Sequence, residues 1–547
     1  MKRFTAAILF CFALTITAQA QRAGLDWMTD NADAQRSAWI RQDGKINKDS
    51  MQKPGFEFLW KMKLKNPPKQ LNNLQPPATL DRLIGYRGFR MLGFVAGSSD
   101  NLFTIDTDLG RMEWEKHLKV TASTAPSTLA CPGGLTNGVV RPALTTIPAA
   151  PTAAAGPGRN TPAKSAVGDP GQGAVTLANV RPNPPRPANP APSASANPML
   201  VQPGRVNTAN LPGGQLGAGP FLVYALASDG KLHSMHLSNG ADYQPPAPFV
   251  PPGANASGFI ALDQAAFAVT TNGCNGTANG VWKIDLLSKE VKSWKGNVAG
   301  SVGMAFGGDG TIYVTTGNGG DKPNSLVVLD PNTLAEKASF SAGSQEFSSS
   351  PVVFNHKGKT MIAATTSNGS IHVFDSESLS APLASSSPVK DFAPTALASW
   401  QDLNGTRWIL APHNGALPAG FNTAGGAVTK GTLLAWKLVD ENGKLTLQPG
   451  WASRNLVSPL TPTIINGVVF ATSSGEFRSG ATAAQRAARS VPAVLYALDG
   501  MTGKELWNSG KTITSFAHGG ALAGGMSQIY LTTYDGTIYA FGYPMEH

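Results

Sequence analysis

Cysteine and histidine, the residue types that most often bind metals or act in catalysis, are few and widely spaced in this sequence. The chain has three cysteines and eight histidines in 547 residues. Cys131 and Cys274 each stand alone in a glycine-rich stretch, so they cannot form a CxxCH haem site or a four-cysteine zinc site. His233 and His236 are three residues apart in a predicted strand, where their side chains point to opposite faces and cannot bind one metal ion. No complete GxSxG, HExxH or phosphate-binding motif is present, so the sequence carries no self-contained catalytic motif.

The first twenty residues have the organisation of a secretory signal peptide. Two basic residues precede an apolar run at 4–16, which is too short to span a bilayer. The AQA triplet at 18–20 is a small-x-small cleavage site. We therefore expect residues 1–20 to be removed and the protein to be periplasmic or secreted; an N-terminal membrane anchor is the alternative. Cys11 lacks the small residues that precede a lipidated cysteine, so a lipoprotein is not expected.

Export would place Cys131 and Cys274 in an oxidising compartment, where an intramolecular disulfide can form. A disulfide and two free buried thiols both remain open. No stretch after the signal reaches about 18 apolar residues, so no membrane span is expected. Charged residues make up only 14% of the chain, and its 60 glycines and 41 prolines argue against helical bundles and coiled coils.

Positive charge is concentrated in one proline-rich stretch. Residues 141–220 contain six basic residues, one acid, 16 of the 41 prolines and no aromatic residue, and they carry five of the ten net positive charges. Without aromatic residues this stretch cannot bury enough apolar area to offset the entropy of ordering. We predict a disordered insertion at about 145–218, which either binds an envelope polymer or is a solvated spacer. The remaining chain is near neutral, so nucleic-acid binding is not expected.

A strand–turn–strand repeat recurs along the chain and predicts the fold. The clearest copy is VLYALDGMTGKELWNSG at 494–510, in which an Asp/Gly turn joins two strands and the second strand carries Trp507. In such a repeat the tryptophan can pack against the turn of the next unit. Short antiparallel strands repeated in this way are typical of propeller blades. Weaker copies are found at 101–118, 221–237, 280–296, 325–340, 370–382 and 432–451.

The two ends of the chain supply the missing part of an eighth unit. FEFLWKMKLK at 56–65 is a strand without a neighbour, and the chain ends in GTIYAFGYP, an inner strand with no outer partner after it. Pairing the two removes exposed sheet edges. We therefore predict an all-β, eight-bladed propeller of four-stranded antiparallel blades over 56–547, with N- and C-terminal strands sharing the last blade. Residues 21–55 form a segment before the propeller, and seven blades are the alternative.

Several segments resemble the quinoprotein alcohol dehydrogenases, eight-bladed propellers that bind pyrroloquinoline quinone (PQQ) and calcium. ALDGMTGKELW at 497–507 is similar to their tryptophan-docking repeat, and DWMTDNADAQRSAW at 26–39 is similar to the opening of such chains. TIYVTTGNGG at 311–320 and EFSSSPVVF at 346–354 resemble two further strand motifs. The resemblance covers nearly all of the mature chain outside the insertion. Non-catalytic propellers, including a bacterial outer-membrane assembly factor, share the same repeat.

The resemblance also implies roles for individual residues. Asn318, in the TGN motif, matches a calcium ligand close to the cofactor. Glu346 matches the acid that is the catalytic base, and it is also a candidate calcium ligand. Ser367 or Asn368 stands where the enzymes have a cation that contacts the quinone. The adjacent cysteine pair that covers the cofactor, and a haem-binding motif to accept electrons, have no counterpart.

Two histidines lie where propeller strands end or begin. His518, in SFAHGGALAGG, begins the innermost strand of the last predicted blade. Innermost strands line the central channel, so His518 is a candidate cofactor- or ligand-binding residue, with a structural histidine as the alternative. His413 lies at a strand end in the sixth unit.

An intact scaffold with an incomplete site favours an exported, non-catalytic binding or assembly module of the cell envelope. Its partner would be an envelope protein or polymer, and no cofactor is expected. The alternative is a divergent PQQ- and calcium-dependent dehydrogenase of alcohols or sugars.

Overall fold

The repeat folds as an eight-bladed β-propeller in which each blade is an antiparallel meander. The computed structural model describes residues 26–85, 88–120, 127–147, 222–262 and 264–544. The predicted signal peptide and residues 148–218 of the predicted insertion lie outside these ranges. The first strands of neighbouring blades contact one another, so they surround the central axis and the last strands form the rim.

The strands of each blade are given from the axis outwards. Blade 1 consists of Ala78–Gly85, Gly88–Gly97, Asn101–Asp106 and Arg111–His117, and blade 2 of Leu222–Leu226, Lys231–His236 and Asp242–Pro248. Blade 3 consists of Asn255–Ala261, Ala265–Thr271, Gly280–Asp285 and Val291–Lys295, and blade 4 of Ala305–Phe306, Ile312–Thr315, Ser325–Leu329 and Glu336–Ser341. Blade 5 consists of Val352–His356, Lys359–Thr365, Ile371–Asp375 and Ala384–Ser385, and blade 6 of Ala398–Gln401, Arg407–Asn414, Gly431–Glu441 and Lys444–Ala452. Blade 7 consists of Thr463–Ile465, Val468–Ser473, Val494–Asp499 and Glu505–Asn508, and blade 8 of Leu522–Gly525, Gln528–Thr532, Thr537–Gly542 and Glu57–Lys63. Two short helices, Lys48–Met51 and Ala483–Arg489, and a 3₁₀ turn, Cys274–Gly276, are also present. The strand Trp39–Ile40 pairs parallel with Thr463–Ile465 and adds a fifth strand to blade 7.

Blade 2 receives its innermost backbone pairing from the chain before the predicted insertion. Val140 and Tyr224 exchange two backbone hydrogen bonds of 2.9 Å, so residues around Val140 stand where other blades have their first strand. The next strand of blade 2, Leu222–Leu226, begins only after the undescribed stretch. The predicted insertion therefore joins the innermost and second positions of one blade.

Burial explains why the inner strands read as continuous apolar runs. Ile312–Thr315 and Ser325–Leu329 are buried along their whole length, whereas the rim strand Glu336–Ser341 is almost entirely exposed. Neighbouring blades cover both faces of an inner strand, so polar residues cannot alternate there. The apolar core consequently lies between the blades.

The ring is closed by pairing its two ends, as the sequence predicts. Glu57–Lys63 pairs antiparallel with Thr537–Gly542, with Lys61 opposite Tyr539. Phe56 then packs edge-on against Trp507 of blade 7, with ring centroids 4.9 Å apart. Blade 8 thus joins the first and last strands of the ring.

Rim tryptophans lock several blades to the next one in the ring, which confirms the predicted docking. The Trp60 indole N–H of blade 8 donates to the Thr107 carbonyl in a turn of blade 1 at 2.8 Å, and Trp114 of blade 1 donates to Leu237 of blade 2 at 2.8 Å. The turn glycine Gly110 has φ +58°, and an added Cβ would lie 2.5 Å from the Trp60 ring. Glycine is therefore required there both for its backbone conformation and for the close approach of the indole.

The segment before the propeller closes one end of the axis, which the sequence did not predict. Its carbonyls accept hydrogen bonds from backbone N–H groups on the innermost positions of successive blades. The pairs are Trp27 with Thr79, Met28 with Arg141, Ala34 with Phe306, Gln35 with Val353, Ser37 with Ser399 and Ala38 with Ile464. Residues 27–38 therefore form a floor whose backbone carbonyls are bonded to six of the eight blades.

Cys131 and Cys274 form a disulfide, which resolves the alternative that the sequence left open. Cys131 precedes blade 2, and Cys274 lies in the turn between the second and third strands of blade 3. The bond therefore ties together two blades and encloses the predicted insertion in a covalent loop. No helix among the described residues has the length and hydropathy to cross a membrane.

Candidate ligand-binding cavity on the propeller axis

A cavity of about 420 Å³ lies on the axis of the propeller. Trp27, Asp30 and Asn31 of the N-terminal segment line it, together with the chain that leads into the first strands of most blades. In an antiparallel meander, the loops that enter the first strand and the loops between the second and third strands emerge at the same end. We call this end the upper face.

The floor of the cavity is built around a buried arginine. Arg36 is fully buried, and its guanidinium donates to the carbonyls of Met304 at 2.9 Å and Gly258 at 2.7 Å. It also donates to the carbonyl of Asp30 and the hydroxyl of Thr29, both at 2.9 Å. Burial lowers the pKa of Arg36 to about 10, so it remains charged at neutral pH. One side chain thus holds the floor against blades 3 and 4.

The Asp30 carboxyl adds an ionisable group to this floor. Burial raises the pKa of Asp30, an effect that the Arg36 charge and the Gly258 N–H only partly oppose. Desolvation disfavours the charged form of a carboxyl group. Asp30 therefore binds a proton more readily than an exposed aspartate does.

A long loop of blade 7, residues 474–493, places the cation Arg478 in the cavity wall. The loop is anchored by Glu476, whose side chain is 2% exposed and ion-pairs with Arg478, Arg486 and His518. The distances are 3.6 Å to Arg478 Nε and 3.1 Å to His518 Nδ1. Burial acts to raise the pKa of Glu476, but the hydrogen bond to His518 and the three neighbouring charges outweigh it and lower that pKa.

Local sequence explains how the loop keeps this shape. Thr482 and Gln485 form a capping box at the start of the helix Ala483–Arg489, which satisfies backbone N–H groups that the first turn leaves free. The helix carries Arg486 back towards Glu476. His518, the predicted ligand-binding histidine, does not begin the innermost strand of blade 8, which starts at Leu522. It lies in the loop before that strand, next to the cavity-lining Gly519, and contacts the anchoring acid.

The predicted pair Asn318 and Glu346 lies on the upper face but outside the cavity wall. The Asn318 N–H donates to Glu346 Oε2 at 3.1 Å, and both residues are exposed. The Asn318 carbonyl accepts from the Asn297 amide at 2.6 Å. Neither Asn318 nor Glu346 is among the described residues that line the cavity. The structure thus brings the two residues together, and their roles as ligand and base stay predictions.

The other positions singled out in the sequence have local contacts. Ser367 donates to Gln345 at 3.3 Å, and Asn368 accepts from the Ser370 N–H at 3.0 Å within a turn. His413 is buried, and its Nε2 lies 3.2 Å from the Ala416 carbonyl. His233 is buried at 5% exposure.

Arg478 is the functional candidate that the sequence analysis missed. Repeat-based reasoning looks for a cation where Ser367 and Asn368 stand, whereas Arg478 comes from a different blade. The available clue was the loop itself. Residues 474–493 contain three arginines and interrupt a blade whose other turns are short.

The Asn318–Glu346 pair by itself does not fit calcium. Calcium takes roughly six to eight oxygen ligands. One Glu346 oxygen already accepts the Asn318 N–H, and the Asn318 carbonyl is engaged by Asn297. Within the described part of the chain, no group of three or more acidic, histidine or cysteine residues is placed to hold a metal ion. We therefore derive no step through calcium or a quinone.

Comparison with known proteins bears on the fold. No protein-family model matches the sequence, and no curated protein matches it. Among solved structures, a quinohemoprotein alcohol dehydrogenase from Comamonas testosteroni is 14% identical, with a TM-score of 0.56 over 95% of this chain and 81% of that one. A quinohemoprotein alcohol dehydrogenase from Pseudomonas putida HK5 is 10% identical, with a TM-score of 0.53 over 96% and 81%. A europium-containing methanol dehydrogenase is 10% identical, with a TM-score of 0.51 over 95% and 89%. The chain therefore has the same fold as these alcohol dehydrogenases, an eight-bladed propeller.

Proposed function

We propose that this protein is an exported, non-catalytic propeller that binds a ligand or partner through the cavity and loops of its upper face. The observation that carries the proposal is the separation of two features. The cavity holds Asp30 and Arg478, whereas the acid and amide matched to the enzymes lie outside it on the exposed surface. Loops on a rigid frame are well suited to recognition.

The alternative function is oxidation of alcohols or sugars with PQQ and calcium. One observation favours it, because Arg478 supplies a cation at the axis that the sequence did not lead us to expect. A cation of this kind can stabilise negative charge that develops on a bound ring. The alternative therefore warrants a direct assay.

The assay is turnover after reconstitution. Purified protein is incubated with PQQ and calcium, and reduction of an artificial dye is followed with a panel of primary alcohols and sugars. We expect no substrate-dependent dye reduction above that of a heat-treated sample. Turnover that is lost in Glu346→Gln would overturn the non-catalytic proposal.

The envelope location is a separate part of the proposal. It is supported by the apolar run at 4–16 and the AQA triplet at 18–20. N-terminal sequencing of protein recovered from the periplasm or medium should begin at Gln21. A pull-down from envelope extract tests for a partner, and replacing Arg478 with Gln should reduce its recovery.

A further inference from the structure

The charged side chains around the axial cavity have opposite signs, and this indicates what the cavity binds. Arg478 lies in the wall contributed by blade 7, Asp391 in the chain entering blade 6, and Asp30 in the floor. A volume of about 420 Å³ is within the range of small-molecule sites. The ligand therefore has to satisfy one guanidinium and two carboxyl groups in a small space.

The positive side of the cavity keeps an excess of charge. Arg478 is paired with Glu476, but Glu476 is shared with Arg486 and with His518. One carboxylate between two guanidiniums leaves one net positive charge even when His518 is neutral. Arg478 can therefore still bind an anionic group, and guanidinium–carboxylate pairs are among the stronger polar contacts.

The negative side is formed by Asp391 and Asp30. Asp391 is exposed and has φ +57°, a left-handed conformation that aspartate tolerates better than most residues. Burial lowers the pKa of His413, an effect that the Ala416 carbonyl and the charge of Asp391 only partly oppose, so this histidine adds no positive charge beside Asp391 at pH 7. Asp30 lies beside the charge of Arg36 and accepts from the Gly258 N–H, and burial raises its pKa, so it offers a carboxyl oxygen to the cavity and no uncompensated negative charge. Asp391 thus supplies the negative charge for a cationic ligand group, and Asp30 supplies a carboxyl oxygen that can accept a hydrogen bond from it.

Uncharged polar side chains also line the cavity. Asn31, Asn72 and Asn414 line the cavity with amides that can donate and accept hydrogen bonds, and Thr461 adds a hydroxyl. A purely anionic ligand would lie close to Asp391, and a purely cationic one would lie close to Arg478. A molecule with both charges avoids each repulsion.

We propose that the axial cavity binds a small zwitterion, an α-amino acid or dipeptide, with its carboxylate at Arg478 and its ammonium group at Asp391 and Asp30. The inference rests on the proposed binding function and names the class of ligand. Backbone amides of a dipeptide can be met by the asparagine side chains. No bond is made or broken in the bound molecule.

The test is isothermal titration calorimetry of the wild-type protein with a charge-matched series. L-alanine and L-alanyl-L-alanine carry both charges, N-acetyl-L-alanine only the carboxylate, L-alaninamide only the ammonium, and N-acetyl-L-alaninamide neither. We expect at least one zwitterion to bind about 10-fold more tightly, or better, than every probe that lacks a charge. Equal binding of a singly charged or neutral probe, or no binding of either zwitterion at millimolar concentration, overturns the proposal.

Two variants assign the charges to residues. The affinity of Arg478→Gln for L-alanyl-L-alanine should fall to that of the wild type for the C-terminal amide of this dipeptide. The affinity of Asp391→Asn for L-alanyl-L-alanine should fall to that of the wild type for its N-acetyl derivative. The control for Arg478→Gln is Arg489→Gln, because Arg489 lies on the same loop, stacks on Phe477 at 3.9 Å and does not line the cavity. Unchanged affinity in both cavity variants would contradict the assignment.

Failure of this inference is distinguishable from failure of the proposed function. The probe series on wild-type protein tests the zwitterion without any substitution, so it does not depend on whether a variant folds. Dye reduction with PQQ and calcium tests the non-catalytic proposal. If neither zwitterion binds and no turnover is detected, the zwitterion inference is wrong and the non-catalytic proposal stands.

Discussion

At the scale of single residues, the floor of the cavity depends on one guanidinium. Arg36 is fully buried and bonds to two blades and to its own segment. Arg36→Met should lower the free energy of unfolding by about 3 kcal/mol or more, because buried carbonyls lose their donors. Denaturant unfolding measures the change, and Arg489→Met on the exposed helix is the control. A loss no larger than that of the control would show that Arg36 does not hold the floor.

Glu476 makes the stability of the blade 7 loop depend on pH. Its pKa is lowered below the ordinary 4.5 by its charged partners despite burial. The stabilisation is therefore fully present above pH 4.5 and is lost as the pH falls through the lowered folded-state pKa. Melting temperatures of wild type and Glu476→Gln should differ most near neutral pH and converge under acid conditions. A difference that grows as the pH falls would contradict the role of the ionised carboxylate.

At the scale of elements, turns and rim strands fit one another through glycine and tryptophan. Gly110 and Gly319 both have positive φ angles, which an alanine adopts only with strain. At Gly110 an added Cβ also meets the Trp60 ring, whereas at Gly319, with φ +89°, an added Cβ has no atom within 4 Å. Gly110→Ala should therefore cost more than Gly319→Ala, by about 1–3 kcal/mol for the overpacking. Thermal and denaturant unfolding of the two variants measure the difference. Equal costs would mean that only backbone conformation matters at this turn.

The disulfide joins two elements across a long stretch of chain. Cys131 and Cys274 are 143 residues apart in sequence. Replacing both with serine should lower the free energy of unfolding by about 2–4 kcal/mol, because the unfolded chain gains freedom. Unfolding of the wild type with and without reductant gives an independent measure. A double variant as stable as the oxidised wild type would show that the bond adds nothing to the ring.

At the scale of the whole molecule, the ring was predictable because its information is local and repeated. Each blade encodes its own strands and turns, several blades add a rim tryptophan, and the unpaired strands around Trp60 and Tyr539 indicated the closure. The floor formed by residues 27–38 was not predictable, because it pairs through backbone carbonyls that leave no pattern in the side chains. Arg478 was missed for a related reason, since it belongs to an inserted loop and not to the repeat. The disulfide was left open because two cysteines do not reveal their distance in space.

The same contrast separates scaffold from site. The frame follows from the repeat, whereas the cavity is built from parts that interrupt it: the N-terminal floor, the blade 7 loop and the chain entering blade 6. These parts place Asp30, Asp391 and Arg478 around one space. They leave Asn318 and Glu346 exposed beside it.

The most direct measurement of the central claim is equilibrium dialysis of the purified protein against PQQ in the presence of calcium. If the functional site is a polar cavity lined by charges of both signs and not a quinone site, the wild type should retain no more quinone than Glu346→Gln does. The amount retained, measured by its absorbance, should be far below one quinone per chain. One tightly held quinone per wild-type chain, lost on chelation of calcium and lost in Glu346→Gln, would contradict the account.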